Sequence, residues 1–168
     1  MTQLASLPMY AFAPEVLHAL WRALALELQR LEVQHVPADL SPVQDLHTHW
    51  LAPNLLLSQA CGFQLIDDLA GRVQQVGCLH YALPVCEGLL CRSQVLVRQQ
   101  DAGQSLEAFR GRRVAYNAPN SQSGYNAMRA LVAPRALGGK FFSQALATGG
   151  HLASMQAVKN GQADITSV

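Results

Sequence analysis

A polar turn that ends on a helix N-terminus occurs twice in the second half of this chain, and that pairing limits the fold more than any other feature. Residues 112–134, RRVAYNAPNSQSGYNAMRALVAP, hold the first. Val114, Ala115 and Tyr116 read as a short strand, residues 117–120 break it with a proline, and Met128, Leu131 and Val132 mark the apolar side of a helix. Ser121 or Ser123 can cap that helix. The second turn, Thr148-Gly149-Gly150-His151, precedes the short helix HLASMQAVKNG. At both places the first backbone N–H groups lack intrahelical partners and the macrodipole adds roughly half a positive charge. Asn120, Ser121, Gln122 and Ser123 add side-chain donors, and Gly124 lets a ligand or neighbouring backbone come close. One such turn is an ordinary N-cap. Two in one domain point to a shared anionic ligand held without a cation.

The remaining sequence narrows the class. Half of the 168 residues are apolar, ample for a core in one domain or two small lobes. With 12 basic and 11 acidic residues the net charge is +1, spread without runs, which argues against nucleic acid or a membrane surface and for a small partner. No apolar run approaches the roughly 20 residues of a membrane helix. The beginning, MTQLASLPMYAFAPEV, has no basic n-region, so the chain reads as not exported, although one whose leader has been removed reads the same way. Cys61, Cys78, Cys86 and Cys91 form no CxxC pair and have no suitably spaced histidines, which argues against zinc and for buried reduced thiols. Cys86 and Cys91 are close enough to bridge if the Glu-Gly turn between them allows it. No cofactor is indicated.

In chain order, residues 4–10 read as a strand running into the loop 11–14, and residues 15–31 as a core helix with Trp21 on its apolar face. Residues 33–36 suggest a second strand and residues 43–50 a short helix, on which His47 and His49 point to different faces and are solvated or locally bonded. Residues 55–60 form an apolar strand ending at Cys61-Gly62-Phe63, and ligand sites in α/β sheets lie beyond such carboxyl ends. Residues 73–83 and 89–98 read as two strands, with a crossing between lobes at residues 84–88. Residues 106–111 give a helical turn closed by glycine, residues 141–147 a linker or short helix, and residues 163–168 a buried strand. The alternation predicts an α/β class with mainly parallel sheet, divided at residues 1–85 and 86–168.

The segments SLEAFRGRRVAYNAPNSQSGYNAMRAL and TGGHLASMQAVKNGQADITSV, with the earlier LLLSQACGFQL and VLVRQQDAGQSL, resemble the PhnD-like substrate-binding proteins of phosphate and phosphonate ABC transporters. The resemblance implies the type 2 periplasmic-binding-protein fold, two α/β lobes closing on an oxyanion in the cleft between them. It places Ser121, Gln122 and Ser123 on the anion with His151 from the second turn, Tyr10 as a first-lobe contact, and Cys61 and Gly62 at another cleft edge. It also implies a periplasmic location and an ABC permease as partner. Two features depart from the family pattern. Cys91-Arg92-Ser93 stands where Tyr-Xaa-Ser is common, and relatives continue beyond ADITSV to return to the first lobe. The first lobe is thus expected to be incomplete, the chain being either a fragment or one that covers exposed sheet edges with a second copy.

The favoured function is non-enzymatic capture of phosphate, phosphonate or a similar anion, with charge from His151 at mildly acidic pH. An enzyme on the same scaffold would need Cys61 paired with His80 or His151. A cytosolic sensor of an anionic metabolite is the third reading.

Overall fold

The computed structural model describes residues 2–10 and 12–168. Ala11, in the loop expected after the first strand, lies outside the described residues. The chain's own contacts divide it into two compact units, Met1–Gln75 and Val76–Val168.

In the first unit, strand β1 (Leu4–Ser6) pairs in parallel with β2 (Leu55–Ser58). Between them run helix α1 (Pro14–Arg30) and the short α2 (Leu46–Trp50), and α3 (Gly62–Ile66) follows. Pro14 opens α1, where a missing N–H costs nothing. Trp21 is 1% exposed and packs with Ala5, Leu7 and Ala25, and its indole N–H donates to the Pro37 carbonyl at 3.2 Å. Asp45 caps α2 by accepting from Thr48 N at 2.7 Å. His49 is buried and bonded to Ser6 Oγ at 2.8 Å, while His47 is exposed, so the two histidines separate as expected.

The second unit opens with a hairpin of β3 (Cys86–Glu87) and β4 (Leu90–Cys91). Its four-stranded sheet holds β5 (Val95–Val97), β6 (Arg113–Tyr116), β7 (Gln144–Ala147) and β8 (Ile165–Ser167) in the order β5-β8-β6-β7. β6 is parallel to both β7 and β8, and only β5 runs antiparallel. Side chains alternate across this sheet. Val114 and Ile165 join Phe109, Phe141 and, from α4 (Ala127–Val132), Met128 and Val132 in one core cluster. Ala115 packs with Ala163 and with Ala157 and Val158 of α5 (His151–Lys159) in another. Each buried side chain of Val or Phe size contributes about 1.5–3 kcal/mol relative to exposure. The outcome is the mixed α/β architecture, largely parallel, that the sequence predicts.

Several segments differ from expectation. Residues 33–36 form no strand. Glu32 and Val33 donate instead to Gln29 O and Leu28 O (2.9 and 3.0 Å), a Schellman closure of α1 with Glu32 at φ 60°. Residues 73–83 find no ladder partner among the described residues, and Val76 is 77% exposed. The strand expected over residues 89–98 is two pieces, β4 and β5. Residues 141–147 give a strand, β7, because the β6 edge imposes its register from Arg113 opposite Gln144 to Tyr116 opposite Ala147. The first strand stops at Ser6 and β2 at Ser58. The cysteines are free thiols, none of them buried. Cys61 and Cys86 are half-buried, whereas Cys78 and Cys91 are exposed.

Candidate functional site

Because β6, β7 and β8 are parallel, their carboxyl ends lie on one edge of the sheet, where α/β folds place ligand sites. The turns after β6 and β7 are stitched together there. Thr148 N donates to Tyr116 O and Gly149 N to Asn117 O, both at 2.9 Å. Thr148 Oγ1 has the carbonyls of Tyr116 (3.1 Å) and Gly150 (3.0 Å) as acceptors and accepts from the fully buried Ser154 Oγ at 2.6 Å. This ties the second turn to the body of α5.

The helix after the first turn starts irregularly. Ser121 is its cap, accepting from Gly124 N at 3.2 Å, but residues Gln122–Asn126 form a π-turn before α4. Its wider bond runs from Asn126 N to Ser121 O at 3.0 Å. Such π-turns often mark functional sites. Gly124 is buried within it, and a side chain there would collide with the Asn117 amide and come within 3.1 Å of His151 Cε1. The glycine therefore admits the Asn117 side chain to the gap between the two turns.

His151, the first residue of α5, joins them. Its Nε2 lies 3.3 Å from Ser123 Oγ and 3.4 Å from Asn117 Nδ2. With the Asn117 amide as donor, the ring proton sits on Nδ1. That atom and Asn117 Oδ1 are buried with no hydrogen-bond partner among the described residues. From β8, Ser167 Oγ donates to Ser123 O at 2.6 Å and fixes the first turn from beneath.

Neither residues 117–124 nor residues 148–151 contain Lys, Arg, Asp or Glu. The charges cluster instead where β6 and β8 begin. Asp164 accepts from Arg113 N, Nε and Nη2 (3.0, 3.1 and 3.1 Å) and from Arg98 Nη2 (2.8 Å), and these bonds, those from the Arg113 side chain foremost, hold its carboxyl well below the ordinary range. Burial pushes the His151 pKa down from the usual 6.5, which works against the charge expected of it in mild acid.

Of the residues singled out in sequence, Ser121, Ser123, Gly124, Thr148, Gly149, Gly150 and His151 meet at this edge. Asn120 is half-buried in the turn, and Gln122 is exposed, accepting from Asn126 Nδ2 at 3.5 Å. Tyr10, Cys61 and Gly62 belong to the first unit. Tyr10 is 49% exposed with its ring 5.8 Å from that of Phe12. Cys61 precedes α3, its N–H donating to Gln64 Oε1 at 3.1 Å. Sequence reading passed over Asn117 and Ser167, whose roles depend on contacts 34 and 44 residues away. Among the described residues no group of three His, Cys, Asp or Glu could hold a metal, and no helix is long and apolar enough to cross a membrane.

No curated protein matches the chain. A family model described as "ABC transporter, phosphonate, periplasmic substrate-binding protein" matches residues 73–168, which include the whole four-stranded sheet and both polar turns. That is more than half of the 168 residues, and the chain belongs to the family of periplasmic substrate-binding proteins of phosphonate ABC transporters.

Proposed function

We propose that this protein is the substrate-binding component of a phosphate- or phosphonate-type ABC transporter and captures a small oxyanion at the paired turns of its second unit, without chemical conversion. The observation that carries this reading is the approach of Ser123 Oγ to His151 Nε2, which makes two helix beginnings one polar surface. Members of the family are typically periplasmic and non-catalytic.

In this reading the donors are neutral. Ser121 Oγ spends a lone pair on Gly124 N and keeps its O–H for the anion. Ser123 exchanges its bond to His151 for one to the anion, and the N–H groups of the π-turn and of α5 complete the shell. Each bond to an anionic oxygen is roughly twice as strong as a neutral one. A neutral His151 suits this role, because it orients Ser123 without bringing a buried charge that would need a partner when the site is empty.

The test is a thermal-shift screen of the full chain against phosphate, methylphosphonate, 2-aminoethylphosphonate, phosphite, sulfate and simple carboxylates at low salt. A ligand at a hundred times its dissociation constant adds about 2.7 kcal/mol of stability. Selective stabilisation by a phosphorus oxyanion that disappears in Ser121→Ala/Ser123→Ala supports the proposal. A folded protein that none of these anions stabilises, or a shift the double variant retains in full, rejects it.

A further inference from the structure

Cys86 and Cys91 are directly opposite one another in the β3–β4 hairpin. The bond from Arg92 N to Val85 O (2.9 Å) makes the flanking residues a hydrogen-bonded pair. Opposed pairs alternate in an antiparallel ladder, so Cys86 and Cys91 form a non-hydrogen-bonded pair, the kind with Cα atoms about 4.5 Å apart and side chains closest. That spacing falls inside the roughly 4.4–6.8 Å range disulfides adopt. The turn sets this register. Gly88, at φ 61°, occupies its first central position and Leu89 is outside the left-handed region, the pattern of a tight II′ hairpin. As free thiols the two sulfurs are 2.8 Å apart.

We propose that Cys86 and Cys91 are a reversible redox modification site, a dithiol that small-molecule disulfides such as glutathione disulfide convert to a hairpin cross-link. Cys91, the exposed partner, attacks first. Its thiolate forms a bond to one sulfur of glutathione disulfide, whose S–S bond breaks and releases one glutathione thiolate. The Cys86 thiolate then attacks Cys91 Sγ and expels the second glutathione. The protein loses two electrons and two protons, and glutathione disulfide gains them as two molecules of glutathione. The sulfurs need only close to about 2.0 Å, a movement of side chains across a pair already in register. A two-stranded ladder is marginal by itself, and the bond fixes the hairpin that leads into β5. Cys78, exposed and weakly bonded at 3.8 Å to its neighbour's carbonyl, and Cys61, in the other unit, are outside this pair.

The test equilibrates the full chain in mixtures of reduced and oxidised glutathione, quenches with acid, alkylates free thiols, and maps the products by cleavage at Glu87 and fragmentation. Expected in excess glutathione disulfide is one internal bond joining Cys86 to Cys91, two hydrogens lighter than the dithiol, with Cys61 and Cys78 outside it and full reversal by excess dithiol. Cys86→Ser and Cys91→Ser, each with the parent's circular dichroism, should form no internal bond and retain glutathione on the remaining cysteine. Finding Cys86 and Cys91 both alkylated, each carrying glutathione in the parent chain, or bonded to Cys78 overturns the proposal.

Discussion

Ser123 Oγ lies 3.3 Å from His151 Nε2, although 28 residues separate them in the chain. The approach follows from topology. β6 and β7 are parallel neighbours, so the turns that leave them emerge side by side, and each turn starts a helix. A polar pair thus forms at the sheet edge with no charged residue in either turn.

Gly124 provides a steric test of that arrangement. Gly124→Ala should displace the Asn117 amide and loosen its contact with His151, costing about 1–3 kcal/mol by overpacking. Gly150→Ser, at an extended position with nothing near its missing Cβ, should leave stability unchanged or slightly raised by the added cap. Urea denaturation of both variants measures the contrast.

Ser121→Ala removes the cap of the π-turn and should destabilise the second unit by about 1 kcal/mol even with no anion present. Chemical denaturation at low salt reads this loss separately from any loss of affinity.

Some of this was legible in the sequence and some was not, for identifiable reasons. The apolar triplet Val114–Tyr116, the proline after it and Ser121 announce a strand, a break and a cap, and all three are present. The spacing of Trp21 and its neighbours gave α1, and the apolar run at residues 163–168 gave β8. Strand β7 was hidden because its sequence, QALA, has weak strand preference and becomes a strand only by pairing with β6. Residues 33–36 misled because their apolar ends look strand-like, whereas the Val33 N–H is engaged in closing α1. The role of Asn117 depends on a glycine seven positions on and a histidine in another helix, and no local pattern signals either.

Asp164 anchors β6 and β8 at the opposite end of the sheet. Asp164→Ala should cost about 2–3 kcal/mol, since it strips charged hydrogen bonds from two arginines. The folded carboxyl titrates below the ordinary 3.8, so its contribution is present above that pH and is lost as pH falls beneath it toward the folded value. Unfolding free energies measured from pH 5 to pH 2.5 should decline less steeply below about 4 in the variant.

His49 and His151 act earlier in an acid titration. Burial lowers both from 6.5, so the folded state binds fewer protons than the unfolded chain just below that value. Stability should therefore be undiminished by these groups above pH 6.5 and fall as pH drops through and below it. Imidazole resonances followed by NMR should titrate below the unfolded value, and His151→Gln should flatten part of the decline between pH 6.5 and 5.

The central claim is that the two turns make one anion site, and a double-mutant cycle tests it most directly. Calorimetry would measure the affinity of the parent chain, Ser123→Ala, His151→Ala and the double variant for the anion that stabilises the protein most. One shared site predicts weaker binding in each single variant and a coupling of about 0.5–3 kcal/mol between them. Unchanged affinity in either single variant, or two losses that simply add, would contradict it.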